Sequence, residues 1–261
     1  MLISLDDVQI NCEMEGPSGA PVVVFSHSLA ASTMMWDLQA GELRRTHRVL
    51  LLDTRGHGRS SAPAGPYSME MLAGDVVRVL DHLKIDRAHF VGLSMGGMIG
   101  QVLGIRYPER LEKLVLCDTS SRVPPEAGPV WEERIRTAET RGMEPLASET
   151  LARWFSDDFR RKHPEITERI REMIVNTPVP GYVGCSRAIS KFDVSGELLK
   201  IKAPTLVIVG ENDPGMPMEE AEKIKSQIRG AEIAVMPGAL HLSNIEAAEL
   251  FNRDLLEFLG K

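Results

Sequence analysis

Five stretches of this chain are apolar on successive residues: PVVVFS (21–26), RVLLLD (48–53), AHFVGL (88–93), LEKLVLC (111–117) and PTLVIVG (204–210). A strand with one face in water alternates apolar and polar side chains, whereas one covered on both faces does not have to. The runs therefore predict buried strands with cover above and below. VQINCEM (8–14) and AEIAVM (231–236) read as further strands. Amphipathic segments lie between them. SMEMLAGDVVRVLDHL begins at Ser68, a good N-cap, and sets Leu72, Val76, Val79, Leu80 and Leu83 on one face. MGGMIGQVLGIRYP stops at Pro108, PMEEAEKIKSQI starts with Pro217 in a first-turn position, and IEAAELFNRDLLEFL closes the sequence. Strand–helix alternation of this kind predicts an α/β fold with a mostly parallel central sheet and helices on both faces.

The alternation fails between Ser120 and Glu197, which is helical in pattern and lacks a good buried strand. The expected organisation is an α/β core over 1–119, a helical cap over 120–197 and the rest of the core over 198–261. With 30 Lys and Arg against 37 Asp and Glu, the net charge is −7, and there is no basic stripe for nucleic acid or polybasic patch for a membrane. An anionic ligand would need a local cationic pocket. The three cysteines, at 12, 117 and 185, are odd in number and far apart, which suggests neither a disulfide framework nor a zinc site. The opening MLISLDDVQI is broken by Asp6 and Asp7 and does not read as a signal peptide, so a cytoplasmic location is expected. The oligomeric state is left open.

Chemistry enters at HFVGLSMGGMIG (89–100). Ser94 stands between Gly92 and Gly96, after a strand and before a helix, which is the context that turns G-x-S-x-G from a chance pattern into a nucleophile elbow. A serine on so sharp a corner projects its hydroxyl, and a Cβ two residues away would crowd the bend. The hydroxyl needs a base. Of seven histidines, His241 in PGALHLSNIE follows the last strand, and loops after parallel strands open at the same edge of the sheet as Ser94. The orienting acid should fall between them in chain order. Asp213, in VIVGENDPGMP directly after the 204–210 strand, is preferred; Asp118 at the end of 111–117 competes, and Glu211 is weaker. An oxyanion hole would use the backbone N–H of Met95, the residue after the nucleophile, and by position that of Leu29 in SHSLAASTMMW. These parts call for no cofactor and no metal.

Taken together, SHSLAASTMMW, DTRGHGRS, GLSMGG, LVIVGENDPGMP and LHLSNIE resemble the α/β-hydrolase superfamily over the whole chain. In that resemblance DTRGHGRS is a structural fingerprint, so Arg55 and His57 read as scaffold. LLDTRGHGRSSAPAGPYSMEMLAGDV, GLSMGGMIGQVLGIRYPERLEKLVLCDTS, RWFSDDFRRKHPE and TPVPGYVGCSRAI are similar to 3-oxoadipate enol-lactonases, although His27-Ser28-Leu29-Ala30 stands where those tend to read Asn-Ser-Leu-Gly. The resemblance implies a serine hydrolase acting on a small-molecule lactone or ester, with a broad carboxylesterase or acyltransferase as the alternative. Ser94 in place of Asp argues against dehalogenase and epoxide-hydrolase chemistry, and a complete set of triad residue types argues against a mere binding module. Trp154, in RWF, is the expected pocket wall; Trp131 reads equally as cap packing. An enol-lactone of this kind carries a free carboxylate, for which Arg187, with Lys191 four residues on, is the candidate anchor; a solvated surface pair is the plainer reading.

Overall fold

The computed structural model describes residues 1–261. Eight strands form one sheet: β1 (Leu2–Ser4), β2 (Gln9–Glu15), β3 (Val22–Ser26), β4 (Arg48–Leu52), β5 (Ala88–Leu93), β6 (Leu111–Cys117), β7 (Thr205–Gly210) and β8 (Glu232–Met236). Their order is β1-β2-β4-β3-β5-β6-β7-β8; the β1–β2 and β2–β4 pairs are antiparallel and the pairs from β4 to β8 are parallel. The uninterrupted apolar runs are the inner strands, and every residue of β5 and β7 is buried. Sequence pattern missed β1, whose three residues are too few to show a period; it pairs Leu2 with Asn11 at the sheet edge.

Helices α1 (Asp37–Leu43), α2 (Met69–His82) and α3 (Met95–Arg106) belong to the first half of the sheet. The Ser68 hydroxyl caps α2 by accepting the Met71 N–H at 3.1 Å, and Leu72, Val76, Val79 and Leu80 are its buried face. From Met95 to Ile105 no residue of α3 is exposed, which fits a helix apolar all round. After β6 come α4 (Gly128–Arg141), α5 (Glu144–Trp154), α6 (Asp157–Lys162), α7 (Pro164–Val175) and α8 (Val179–Ile189), with no strand among them. This insertion leaves and returns through one neck. Arg122 bridges Asp193, the Val123 N–H donates to the Phe192 carbonyl, and the Val194 N–H donates to that of Ser121, both at 2.9 Å.

Helix α9 (Met218–Gln227) starts one residue after Pro217, whose fixed φ of −64° precedes the first turn. The closing amphipathic stretch is two helices, α10 (Ser243–Glu246) and α11 (Ala248–Gly260), broken at Ala247. Glu246 lies at this break, and its carboxylate accepts the N–H groups of Leu240 and Ser156 at 2.8 and 3.0 Å. It thereby ties the turn before α10 to the insertion. No helix is long and apolar enough to cross a membrane.

The connections set the position of the site. The chain passes from β3 outward to β4, then crosses over β3 to place β5 on its other side. The loops leaving β3 and β5 diverge at this reversal, and a crevice opens between them at the carboxyl ends of the strands.

Candidate active site

Ser94 is the residue between β5 and α3. Its φ and ψ are 57° and −112°, a conformation L-residues seldom adopt. Two bonds hold it there: its N–H donates to the Cys117 carbonyl at 2.8 Å, and its own carbonyl accepts the Thr119 hydroxyl at 2.8 Å. The flanking glycines are required by contact. A Cβ on Gly92 would stand 2.1 Å from the Gly96 carbonyl oxygen, and one on Gly96 would stand 2.1 Å from that of Ser26. We expect Gly96→Ala to lose about 1–3 kcal/mol by overpacking and to lower kcat by displacing the elbow. Gly41→Ala, which meets nothing within 4 Å in α1, should instead gain up to ~1 kcal/mol. Thermal melts and kcat on the same preparations check both. An unchanged Gly96→Ala enzyme would remove close approach as the reason for the glycine.

His241 and Asp213 lie in the loops after β8 and β7. The His241 Nδ1 is 2.6 Å from the Asp213 Oδ2, while the Asp213 Oδ1 accepts the N–H groups of Gly215 and Met216 at 2.8 and 3.1 Å. Burial pushes the Asp213 carboxyl up, but the His241 charge, its hydrogen bond and those two N–H groups together hold it below the ordinary carboxylate value. Burial likewise pushes His241 down, and the Asp213 charge and hydrogen bond overcome it, leaving the imidazole above its usual value. Asp118 faces elsewhere. Its Oδ1 accepts the Gly210 N–H at 2.7 Å and its Oδ2 meets the Ser243 hydroxyl at 2.5 Å. Complete burial first, and then the nearby Asp213 charge, push it up to about 8. The two carboxyls thus differ at neutral pH: Asp213 is charged and Asp118 keeps its proton. Glu211 accepts the Gly238 N–H at 2.8 Å and does not approach the imidazole as a hydrogen-bond partner.

The loop after β3 is held by two buried histidines. His27 lies between the Ser28 carbonyl, at 2.7 Å from Nδ1, and the Thr54 N–H, which donates to Nε2 at 2.9 Å. The His57 Nε2 accepts the Ala30 N–H at 3.0 Å, where Ala30 has φ +60°. Burial, and then the neighbouring His27, push His57 down to about 3, so it stays a neutral acceptor. The adjacent Leu29 N–H donates to no acceptor within the chain. Met95 is the first residue of α3, and its N–H has no helical carbonyl four residues back.

Ser94, His241, Asp213 and Leu29 border one cavity of about 510 Å³. Trp154 and Trp131 both line it, and the Trp154 ring stacks on His241 with centroids 6.4 Å apart. The Leu242 N–H donates to the Trp154 carbonyl at 3.1 Å, so the end of α5 is pinned to the histidine loop. Arg187 must be corrected. Helix α8 turns Tyr182 and Ile189, seven residues apart, toward the cavity, which leaves Arg187 on another face. There it is half-exposed and pairs with Glu139 at 3.3 Å; Lys191 is exposed beyond the helix end. The cations that do border the cavity are Arg122, Arg134 and Arg153. Sequence reading passed over them: Arg134 follows Glu132 and Glu133 and looks solvated, while Arg122 and Arg153 lie in no pattern that marks a pocket. The one available signal was that Arg153 precedes Trp154.

The alpha/beta hydrolase fold family model matches residues 21–248. The 3-oxoadipate enol-lactonase 2 of Acinetobacter baylyi is 34% identical over 96% of this chain and 92% of its own. An enol-lactonase structure from Burkholderia xenovorans LB400 superimposes with a TM-score of 0.96 at 38% identity, covering 100% of both chains. A thermophilic esterase structure from Thermogutta terrifontis, with malate bound, has a TM-score of 0.91 at 32% identity, covering 97% of this chain and 93% of its own.

Proposed function

We propose a function from one premise: the chain belongs to the alpha/beta hydrolase fold family. It is an ester or lactone hydrolase, and we infer that it opens the ring of 3-oxoadipate enol-lactone. The observation that carries the chemistry is the 2.6 Å contact of Asp213 with His241 beside a cavity that Ser94 also borders. The substrate rests on the likeness to the Acinetobacter and Burkholderia enol-lactonases over nearly the whole chain.

In this reading the Ser94 Oγ attacks the lactone carbonyl while the His241 Nε2 takes its proton. Asp213 fixes the Nδ1–H tautomer and stabilises the imidazolium. The N–H groups of Leu29 and Met95 receive the oxyanion, each contributing roughly 3–4 kcal/mol to the barrier reduction. Collapse breaks the ring C–O bond, and the departing enolate takes the proton back from His241. The enol remains tethered to the acyl group and would re-attack, but tautomerisation to the ketone removes the nucleophile. Water then adds to the acyl-enzyme, His241 takes its proton, and Ser94 leaves protonated as the 3-oxo acid is released. Residues 120–197 act as a cap over this centre, with Trp154 as the wall against which the ring lies, and 1–119 with 198–261 supply the hydrolytic core.

The test is kcat/KM for 3-oxoadipate enol-lactone beside p-nitrophenyl acetate and a neutral γ-lactone. A preference of about 10²-fold or more for the enol-lactone is expected. Equal efficiency on all three would replace this reading by a broad carboxylesterase, to which the likeness to the Thermogutta terrifontis esterase lends support.

A further inference from the structure

We propose that Arg134 and Arg153 form a binding site for a free carboxylate of the substrate, distinct from the carbonyl that reacts. The inference rests on the hydrolase reading of Ser94 and deepens it by naming the charge class of the substrate. Three helices build the site: α4 brings Arg134, α5 brings Thr150 and Arg153, and α8 brings Tyr182, all at the cavity wall. The two guanidiniums have too little anionic charge for their number. Glu149 serves both, at 3.4 Å from Arg134 and 3.8 Å from Arg153, and its own side chain is 64% exposed. The Arg153 Nε is shielded from solvent with no hydrogen-bond partner, and another of its nitrogens reaches only the Thr150 hydroxyl, at 3.4 Å. Arg134 lies over the Trp131 ring, 5.3 Å from its centroid, which fixes the guanidinium plane without neutralising it.

The rest of the cavity does not cancel this charge. Of the two acids at its wall, Asp213 is held by His241, and Glu220 pairs with Lys223 at 2.6 Å. Arg122 adds a third cation at the neck. Partial burial, and then the charge of Arg134, depress the basicity of Arg153, as expected for a half-buried guanidinium that lacks a full counter-charge. In a chain of net charge −7, so local a positive lining has a use if the ligand is an anion. A carboxylate on the two arginines would occupy donors that the fold leaves open, and Arg153 is one residue from the indole that stacks on His241. The substrate is then gripped at two points, its carboxylate on the insertion and its reacting carbonyl on the core.

Arg153→Met, Arg153→Lys and Arg134→Met are to be compared with Arg187→Met, which changes an exposed charge away from the cavity. The first readout is kcat/KM for the carboxylated enol-lactone and for its carboxylate methyl ester. Arg153→Met and Arg134→Met should lose about 10- to 100-fold on the free carboxylate only. Arg153→Lys should lose less than Arg153→Met, and Arg187→Met nothing. The second readout is inhibition of p-nitrophenyl acetate hydrolysis by succinate, with succinamide as its neutral twin. Succinate should inhibit competitively, and its Ki should rise about tenfold or more in either cavity variant. If the enol-lactone is not turned over but arginine-dependent succinate inhibition persists, the substrate assignment fails and the carboxylate site stands. Equal losses on acid and methyl ester, or succinate no better than succinamide in the unaltered protein, would overturn the site while leaving the hydrolase in place. Unfolding of one methionine variant still leaves the other, the Lys variant and the unaltered protein's succinate response to decide.

Discussion

Ser94→Ala and His241→Ala are each expected to lower kcat/KM on the preferred ester or lactone by about 10⁴- to 10⁶-fold, because members of such a unit fail together rather than additively. Folding should survive both. The Ser94 hydroxyl has no hydrogen-bond partner in the fold, and its removal leaves the two backbone bonds at 2.8 Å in place. The strained backbone allows a sharper form of the test. Alanine at φ 57°, ψ −112° keeps the strain, whereas glycine relieves it. Ser94→Gly should therefore be as inactive as Ser94→Ala yet more stable, by about 1–3 kcal/mol if the strain is typical. Activity and thermal midpoint of the two variants should thus separate. More than a few per cent activity in a folded Ser94→Ala or His241→Ala protein would mean that another nucleophile or base does the work.

Asp213→Asn should cost about 10⁴-fold in kcat with little change in KM, through loss of the imidazole tautomer that accepts the Ser94 proton. The pH profile should move as well. Asp213 holds His241 above the ordinary histidine value, and only the neutral imidazole is a base. In the unaltered enzyme kcat/KM should therefore rise with pH through a pKa above about 6.5, and in Asp213→Asn the residual activity should rise at lower pH. Asp118→Asn should be mild at neutral pH, since asparagine resembles the protonated carboxyl already present. Its stability should have a distinct signature. A carboxyl raised to about 8 binds more protons folded than unfolded between roughly pH 4 and 8. The folded state therefore loses stability as pH rises across that window, and Asp118→Asn should lose less. Melting both proteins at pH 6 and pH 9 measures the difference. If Asp118→Asn proves the more damaging to kcat, the acid acts from the end of β6.

The inner strands were legible because cover on both faces leaves a run of apolar residues that no other element of that length requires. Ser94 was legible for a local reason too: a close backbone approach excludes every side chain at Gly92 and Gly96, so the constraint is written in five consecutive residues. Asp213 and Asp118 were harder to separate, since both end parallel strands. Their difference lies in what faces them across the sheet edge, His241 in one case and Ser243 with the Gly210 N–H in the other. Which cations border the cavity was not legible. Arg187 stands among small apolar residues and reads as a pocket cation, while Arg134 follows two acids and reads as solvated, and Arg153 is marked only by the tryptophan after it. Helix rotation about its own axis, set by tertiary packing, puts Arg134 and Arg153 at the cavity wall and Arg187 away from it. One bond at 3.1 Å, between the Leu242 N–H and the Trp154 carbonyl, joins positions far apart in sequence through backbone groups, which carry no residue signature.

The neck at Ser121–Val123 and Phe192–Val194 bears on how a lineage with this fold can change. Because the two ends of the insertion lie side by side, β6 and β7 keep their pairing whatever loop is closed between them. Closing a flexible loop twice as long costs only about 0.6 kcal/mol more, so lengthening or reshuffling the insertion is a small thermodynamic perturbation to the sheet. A replacement has to cover the apolar core residues against which Cys185, Ile189 and Phe155 now pack, and to offer a carbonyl for the Leu242 N–H and an N–H for Glu246. Recombination at the neck can therefore exchange the insertion as a cassette, leaving the sheet and the loops that carry Ser94, Asp213 and His241 to be inherited unchanged.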